Sequence, residues 1–182
     1  MQIIEQPFEG CFLIKPHVFE DERGFFYEFF QEKKFKELTG LDIRFVQDNL
    51  AGSTQYVFRG IHFQKPPYEQ SKLVSAVQGS ILDIVVDLRP HSPTLGRWYA
   101  TQLDEVNKHQ LFIPKGFGHA YLVLSERALV FYKTDEFYHP EYDAGVRYDD
   151  PRIALELPVD DSLLILSGKD RQLPFLSQIT GK

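Results

Sequence analysis

Along the chain, apolar residues gather in short runs rich in Val, Ile, Leu and aromatic side chains: VFRGIHF, KLVSAVQG, ILDIVVDL, WYATQL, HQLFIP, HAYLVL and ALVFYKT. Between them lie QKPPYEQ, RPHSPTLG, DEVN and PKGFG, whose Pro, Gly, Asn and Asp residues reverse a chain. Runs this short, punctuated this often, predict strands. No strand alternates with a helical pattern, so the arrangement expected is an antiparallel sandwich or barrel. Upstream, Gly10 to Phe30 reads as two strand-like stretches joined by an acidic turn around Glu20 to Gly24. The run QEKKFKELTG breaks the pattern: Phe35 and Leu38 fall three apart on a charged background and Gly40 can cap the end, which predicts a short amphipathic helix. In SGKDRQLPF, Ser167 stands three residues before Asp170 and marks a second helix start.

Composition changes this picture little. At 182 residues the chain suits a single domain, 1–182, without repeats or low-complexity linkers. Sixteen Phe and nine Tyr against one Met favour a pleated, half-buried surface, which reinforces the strand reading. A net charge of −6 argues against a broad grip on a nucleic acid polymer, which needs a basic face. Cys11 is the only cysteine, so no intrachain disulfide can form, and a reducing cytoplasm fits. The opening MQIIEQPFEG lacks a basic start and an apolar core, and no apolar run reaches the length that crosses a bilayer. Neither export nor a membrane partner is expected.

Two of the six histidines stand out, His62 in VFRGIHFQ and His119 in IPKGFGHAYLVL. Each sits in a strand-like run, so each is either a satisfied core histidine or part of a polar pocket; Arg59 and Lys72 near the first favour the pocket. The segment PKGFGH fits half of a metal-binding cupin pattern. The other half wants a histidine two residues beyond His62, where Gln64 stands, leaving His62, His119 and Glu69 as the candidate ligands beside two cations. No metal and no organic cofactor is therefore expected. Without a metal, a histidine that titrates near neutrality suits proton abstraction beside a carbonyl, and an ammonium such as that of Lys72 steadies the enolate oxygen. Tyr132 in ALVFYKT is either a surface strand tyrosine or a phenol that returns a proton. Arg23 and Arg59 each adjoin a glycine and can present a guanidinium to phosphate. Arg59 and His62 have opposite parity on a regular strand, so they share a pocket only if the strand is irregular at Gly60.

Taken in order, DERGFFYEFF, VQDN, VFRGIHFQ, QSKLV, ILDIVVDLRPHSPTLGRW, NKHQLFIPKGFGHAYLVLS, YKTDEFYHP, DDP and LSGKD resemble the dTDP-4-dehydrorhamnose 3,5-epimerase family over nearly the whole chain. The resemblance implies a mainly all-β, cupin-like jelly-roll sandwich or barrel with short peripheral helices, and a homodimer whose nucleotide site is shared between copies. It implies His62 as the catalytic base, Tyr132 as the proton donor and Asp170 as the carboxylate that orients the base. It further implies Lys72 and His119 around the hexose, Tyr138 stacked on thymine, and Arg23, Phe26, Glu28, Gln47, Asp48, Asn49, Arg59, Asp143 and Lys169 as substrate contacts. The implied reaction is cofactor-free inversion at C3 and C5 of a dTDP-4-keto-6-deoxy-hexose, with a mono-epimerase acting at one of those carbons as the alternative. The chain differs from the family pattern at Leu50 and Ala51, where polar residues are frequent, at Asp143, where glutamate is usual, and at Tyr148, often Trp. A metal-dependent cupin and a non-catalytic sugar-binding sandwich are the competing classes.

Overall fold

The structure, a computed structural model, describes residues 1–180. Its strands are β1 (Gln2–Phe8), β2 (Cys11–Lys15), β3 (Phe19–Asp21), β4 (Gly24–Phe26), β5 (Gln47–Thr54), β6 (Phe58–Gln64), β7 (Lys72–Gln78), β8 (Ser80–Asp87), β9 (Trp98–Asp104), β10 (Gln110–Ile113), β11 (Phe117–Val123), β12 (Arg127–Thr134) and β13 (Asp143–Gly145). The helices are α1 (Glu32–Thr39), α2 (Gly168–Arg171) and α3 (Leu176–Thr180). One sheet runs β1-β2-β10-β7-β12-β5, a second runs β13-β6-β11-β8-β9, and β3-β4 form a separate hairpin. The seven apolar runs became β6 to β12. All pair antiparallel, as their turn signals require.

Three apolar layers explain why several strands are apolar on both faces. Between the sheets, Val74, Leu111 and Val130 of the first meet Ile81, Val85, Leu103 and Phe117 of the second. Outside the second sheet, Ile84, Val86 and Leu122 are covered by Ile153, Leu164 and Leu176 of the C-terminal segment. Outside the first sheet, Ile14, Leu73 and Phe112 pack on Phe35 of α1. The ring of Phe35 is buried, and removing such a side chain from water contributes about 1.5–3 kcal/mol. The helix starts where the Gln31 side chain accepts from Lys34 N and stops at Gly40, whose left-handed backbone lets its N–H reach Lys36 O. This is a mainly β, cupin-like two-sheet sandwich with short peripheral helices.

Two local readings differ from the expectation. The stretch Gly10 to Phe30 holds three strands rather than two: β2 joins the large sheet, and the acidic turn belongs to the small β3-β4 hairpin. Strand β5, QDNLAGST, has little strand propensity of its own. It is held by unbroken pairing with β12, from Gln47 opposite Thr134 to Thr54 opposite Arg127.

Candidate active site

Residues of both sheets and of the C-terminal segment line a cavity of about 530 Å³. Tyr132 and Lys72 enter it from the first sheet, Arg59, His62 and His119 from the second, and Asp170 from α2. Strand β6 can deliver both Arg59 and His62 because it carries an extra residue. His62 lies opposite His119 and Arg59 opposite Tyr121, three steps on β6 against two on β11. Gly60 fills the bulge with φ +135°, and a Cβ there would come within 2.3 Å of Ala120 Cβ, so glycine is required. The extra residue also sends both Phe58 and Ile61 into the apolar layer behind the sheet.

His62 Nε2 lies 2.5 Å from Asp170 Oδ1. Asp170 is 4% exposed and stands in the first turn of α2, where its N–H donates to Ser167 Oγ at 3.0 Å. Burial works against its ionisation, but the hydrogen bond and charge of His62, the Ser167 hydroxyl and Lys169 outweigh that and lower its pKa. The carboxylate is thus ionised at neutral pH. It fixes the imidazole tautomer, and the ring nitrogen not engaged by Asp170 keeps a lone pair.

Lys72 and Tyr132 adjoin, with Lys72 Nζ 5.8 Å from the centre of the tyrosine ring. Burial pulls the ammonium pKa down to about 8, Asp83 and Asp143 hold it up, and Lys169 adds to the fall. The Tyr132 phenol is pushed up, chiefly by burial, so it carries its proton at neutral pH. His119 is 6% exposed and hydrogen-bonds Asp83 through Nε2 at 2.7 Å; burial lowers its pKa, while Asp83 opposes the shift.

A smaller hollow of about 270 Å³ continues from this cavity and shares His62, Lys72, Tyr132 and Lys169 with it. Gln47, Asn49, Tyr138 and Asp143 line its far side. Gln47 Oε1 accepts from Tyr138 N at 3.0 Å and its amide donates to Asn49 Oδ1 at 2.9 Å. Asp143, one methylene shorter than the usual glutamate, still accepts from the Tyr138 hydroxyl at 2.9 Å and pairs with Lys169. The Tyr138 ring is exposed and open to stacking. Gln64 is not turned to the reaction centre: its amide bonds the carbonyls of Tyr68 and Phe137 and accepts from His139 N.

Four of the residues singled out in the sequence stand elsewhere. Arg23 and Phe26 lie on the β3-β4 hairpin, lining a separate concavity, with Arg23 held by Asp21. Glu28 pairs with Lys34 of α1. Asp48 points away from the cavity between Gln47 and Asn49, because alternate residues of a strand face opposite sides, and it pairs with Lys133 at 2.7 Å. Leu50 shares that outer face and is 63% exposed, whereas Ala51 lines the cavity. Tyr148 packs against Phe58. Sequence reasoning passed over Asp83, whose signal was a carboxylate in the middle of the apolar run ILDIVVDL.

The sequence model of one family, dTDP-4-dehydrorhamnose 3,5-epimerase, matches residues 5–178. The chain belongs to that family. It is 45% identical to the dTDP-4-dehydrorhamnose 3,5-epimerase of Escherichia coli K12, over 98% of this chain and 96% of the relative. It is 47% identical to the enzyme of that name from Methanothermobacter thermautotrophicus, over 93% and 91% of the two chains. Among solved structures, the dTDP-6-deoxy-D-glucose-3,5-epimerase of Legionella pneumophila, in complex with dTDP-4-keto-L-rhamnose, superposes with a TM-score of 0.94 at 43% identity, covering 98% of this chain and 94% of that one. The family carries the fold described above, and the chain is an isomerase of the carbohydrate-epimerase kind. Among the described residues no helix is long and apolar enough to cross a membrane.

Proposed function

We propose that this chain inverts C3 and C5 of dTDP-4-keto-6-deoxy-D-glucose to give dTDP-4-keto-L-rhamnose. The observation that carries the reading is one cavity in which a carboxylate-oriented histidine, a protonated phenol and an ammonium converge, within a chain of this family. Both carbons adjoin the C4 ketone, so a proton taken from either leaves an enolate on the same oxygen. The free ring nitrogen of His62 takes the proton, and Asp170 stabilises the imidazolium that results. Electron density moves onto the C4 oxygen, where Lys72 meets it, while His119 borders the hexose. Tyr132 returns a proton to the opposite face, which inverts the carbon, and solvent exchange restores the two side chains.

The nucleotide fits the neighbouring hollow. Tyr138 offers a face to thymine, Gln47, Asn49 and Asp143 offer donors and acceptors at its edge, and Arg59 and Lys169 suit the diphosphate. Arg23, Phe26 and Glu28 serve the site of a second copy in a homodimer. Their distance in the fold from this cavity supports that assignment, as does the exposed apolar surface of the hairpin, where Phe26 is 66% exposed. Asp48 serves to hold Lys133 rather than substrate. The single, buried Cys11 suits a reducing compartment, and we place the reaction in the cytoplasm.

Incubation with dTDP-4-keto-6-deoxy-D-glucose in heavy water tests the reading. Deuterium enters both C3 and C5 and both configurations invert, as read by NMR of the product. Label at one carbon only, with the other configuration retained, identifies a mono-epimerase; no label at either carbon in a protein that binds dTDP identifies a binding module.

A further inference from the structure

Asp83 stands at the middle of β8, opposite Tyr121 of β11 and Thr101 of β9. Its neighbours Leu82 and Ile84 point the other way, into the apolar layer behind the sheet. The carboxylate therefore faces the interior between the sheets, at 0% exposure. One oxygen contacts His119 Nε2 at 2.7 Å, and the other has no hydrogen-bond partner among the described residues. A buried carboxylate with an idle oxygen is a poor structural device, since an apolar residue of like size would suit the layer better. What it does supply is negative charge beside two groups of the cavity. A carboxylate oxygen only accepts, so His119 Nε2 carries the hydrogen and its other ring nitrogen keeps a lone pair. That leaves neutral His119 an acceptor, unable to donate to an enolate oxygen on that side. The donor at that oxygen is then Lys72, which must stay charged although it is partly buried. Its charged neighbours are Asp83 from β8, Asp143 from β13 and Lys169 from α2, while His119, His62 and the Tyr132 ring line the same cavity from β11, β6 and β12.

We infer that Asp83 is a positioning residue for the proton-transfer site, fixing the His119 tautomer and serving as the interior counter-ion that keeps the Lys72 ammonium charged. The inference rests on the reading above in which Lys72 meets the enolate oxygen. Asp83 touches neither substrate nor reacting atom and acts through these two side chains.

The test uses the full chain and dTDP-4-keto-6-deoxy-D-glucose. Asp83→Asn keeps the shape and removes the charge, so Lys72 loses its proton at lower pH. The basic limb of kcat moves down by roughly one pH unit or more, and kcat at pH 7.5 falls about threefold or more while KM changes little. An unshifted basic limb in a folded Asp83→Asn protein overturns the inference. The wild-type protein supplies a second measurement that does not depend on the variant folding: nitrogen NMR with labelled histidine, where His119 shows a protonated Nε2 and an unprotonated Nδ1 at pH 7.5. The opposite tautomer, or a doubly protonated ring, overturns it equally. Lys72→Ala separates the two layers of argument. Retained activity in that variant defeats the assignment of Lys72 itself, whereas lost activity with an unshifted Asp83→Asn profile defeats only the role of Asp83.

Discussion

The molecule contains two histidine–aspartate pairs built from the same groups in opposite settings. His62 is half-buried and meets an aspartate carried by the short helix α2 of the C-terminal segment; His119 and Asp83 are both buried and stand on adjacent strands of one sheet. In the open pair Asp170 engages Nε2 of His62 and leaves the other ring nitrogen free. The closed pair resists charging, since burial lowers the pKa of His119 and Lys72 and His62 push the same way. On the reading proposed above, chemistry and charge placement are divided between two copies of one motif that differ in exposure.

The sharpest way to break that division is His62→Asn. It keeps the fold and dTDP binding, because asparagine matches the histidine in polarity, and it lowers kcat by about 10³-fold, because asparagine accepts no proton at neutral pH. Near-normal turnover by the folded variant would move the base to another group, with His119 the first to examine. Asp170→Asn comes next. The amide no longer fixes the tautomer or stabilises the imidazolium, and kcat drops about 10- to 100-fold with KM within a few fold, a split that steady-state kinetics reads directly. A loss expressed only in KM would show that Asp170 shapes the nucleotide pocket instead. The smallest effect belongs to Ser167→Ala, which removes the oxygen that caps the helix carrying Asp170. Losing such a cap costs about 1 kcal/mol of stability. Thermal melting should show that drop with only a few-fold loss of kcat; a kcat loss as large as that of Asp170→Asn would mean that the cap, not the carboxylate alone, sets the geometry of the base.

Several elements were legible in the sequence for local reasons. Seven apolar runs bounded by Pro, Gly and Asn or Asp turns became β6 to β12, and the Phe35, Leu38, Gly40 spacing became α1 with its glycine cap. The Ser167 cap and the acidic first turn of α2 were readable from the three-residue spacing of Ser167 and Asp170. The parity clash between Arg59 and His62 forced an irregular strand at Gly60, and the bulge lies there. Strand β5 was not legible, because Asp, Asn and Gly have little strand preference and only the eight-residue pairing with β12 makes QDNLAGST extended.

The sequence by itself determined the strand-rich class, the turn positions, the family and the chemical types at His62, Tyr132 and Asp170, because propensity, periodicity and motif order are carried by neighbouring residues. The family resemblance already implied that Asp170 orients His62; only the tertiary structure decided that Asp48 turns from the cavity while its neighbours face it, and that Asp83 in an apolar strand is the partner of His119. Those facts depend on sheet order, register and burial, which the packing of distant segments sets and no local pattern encodes.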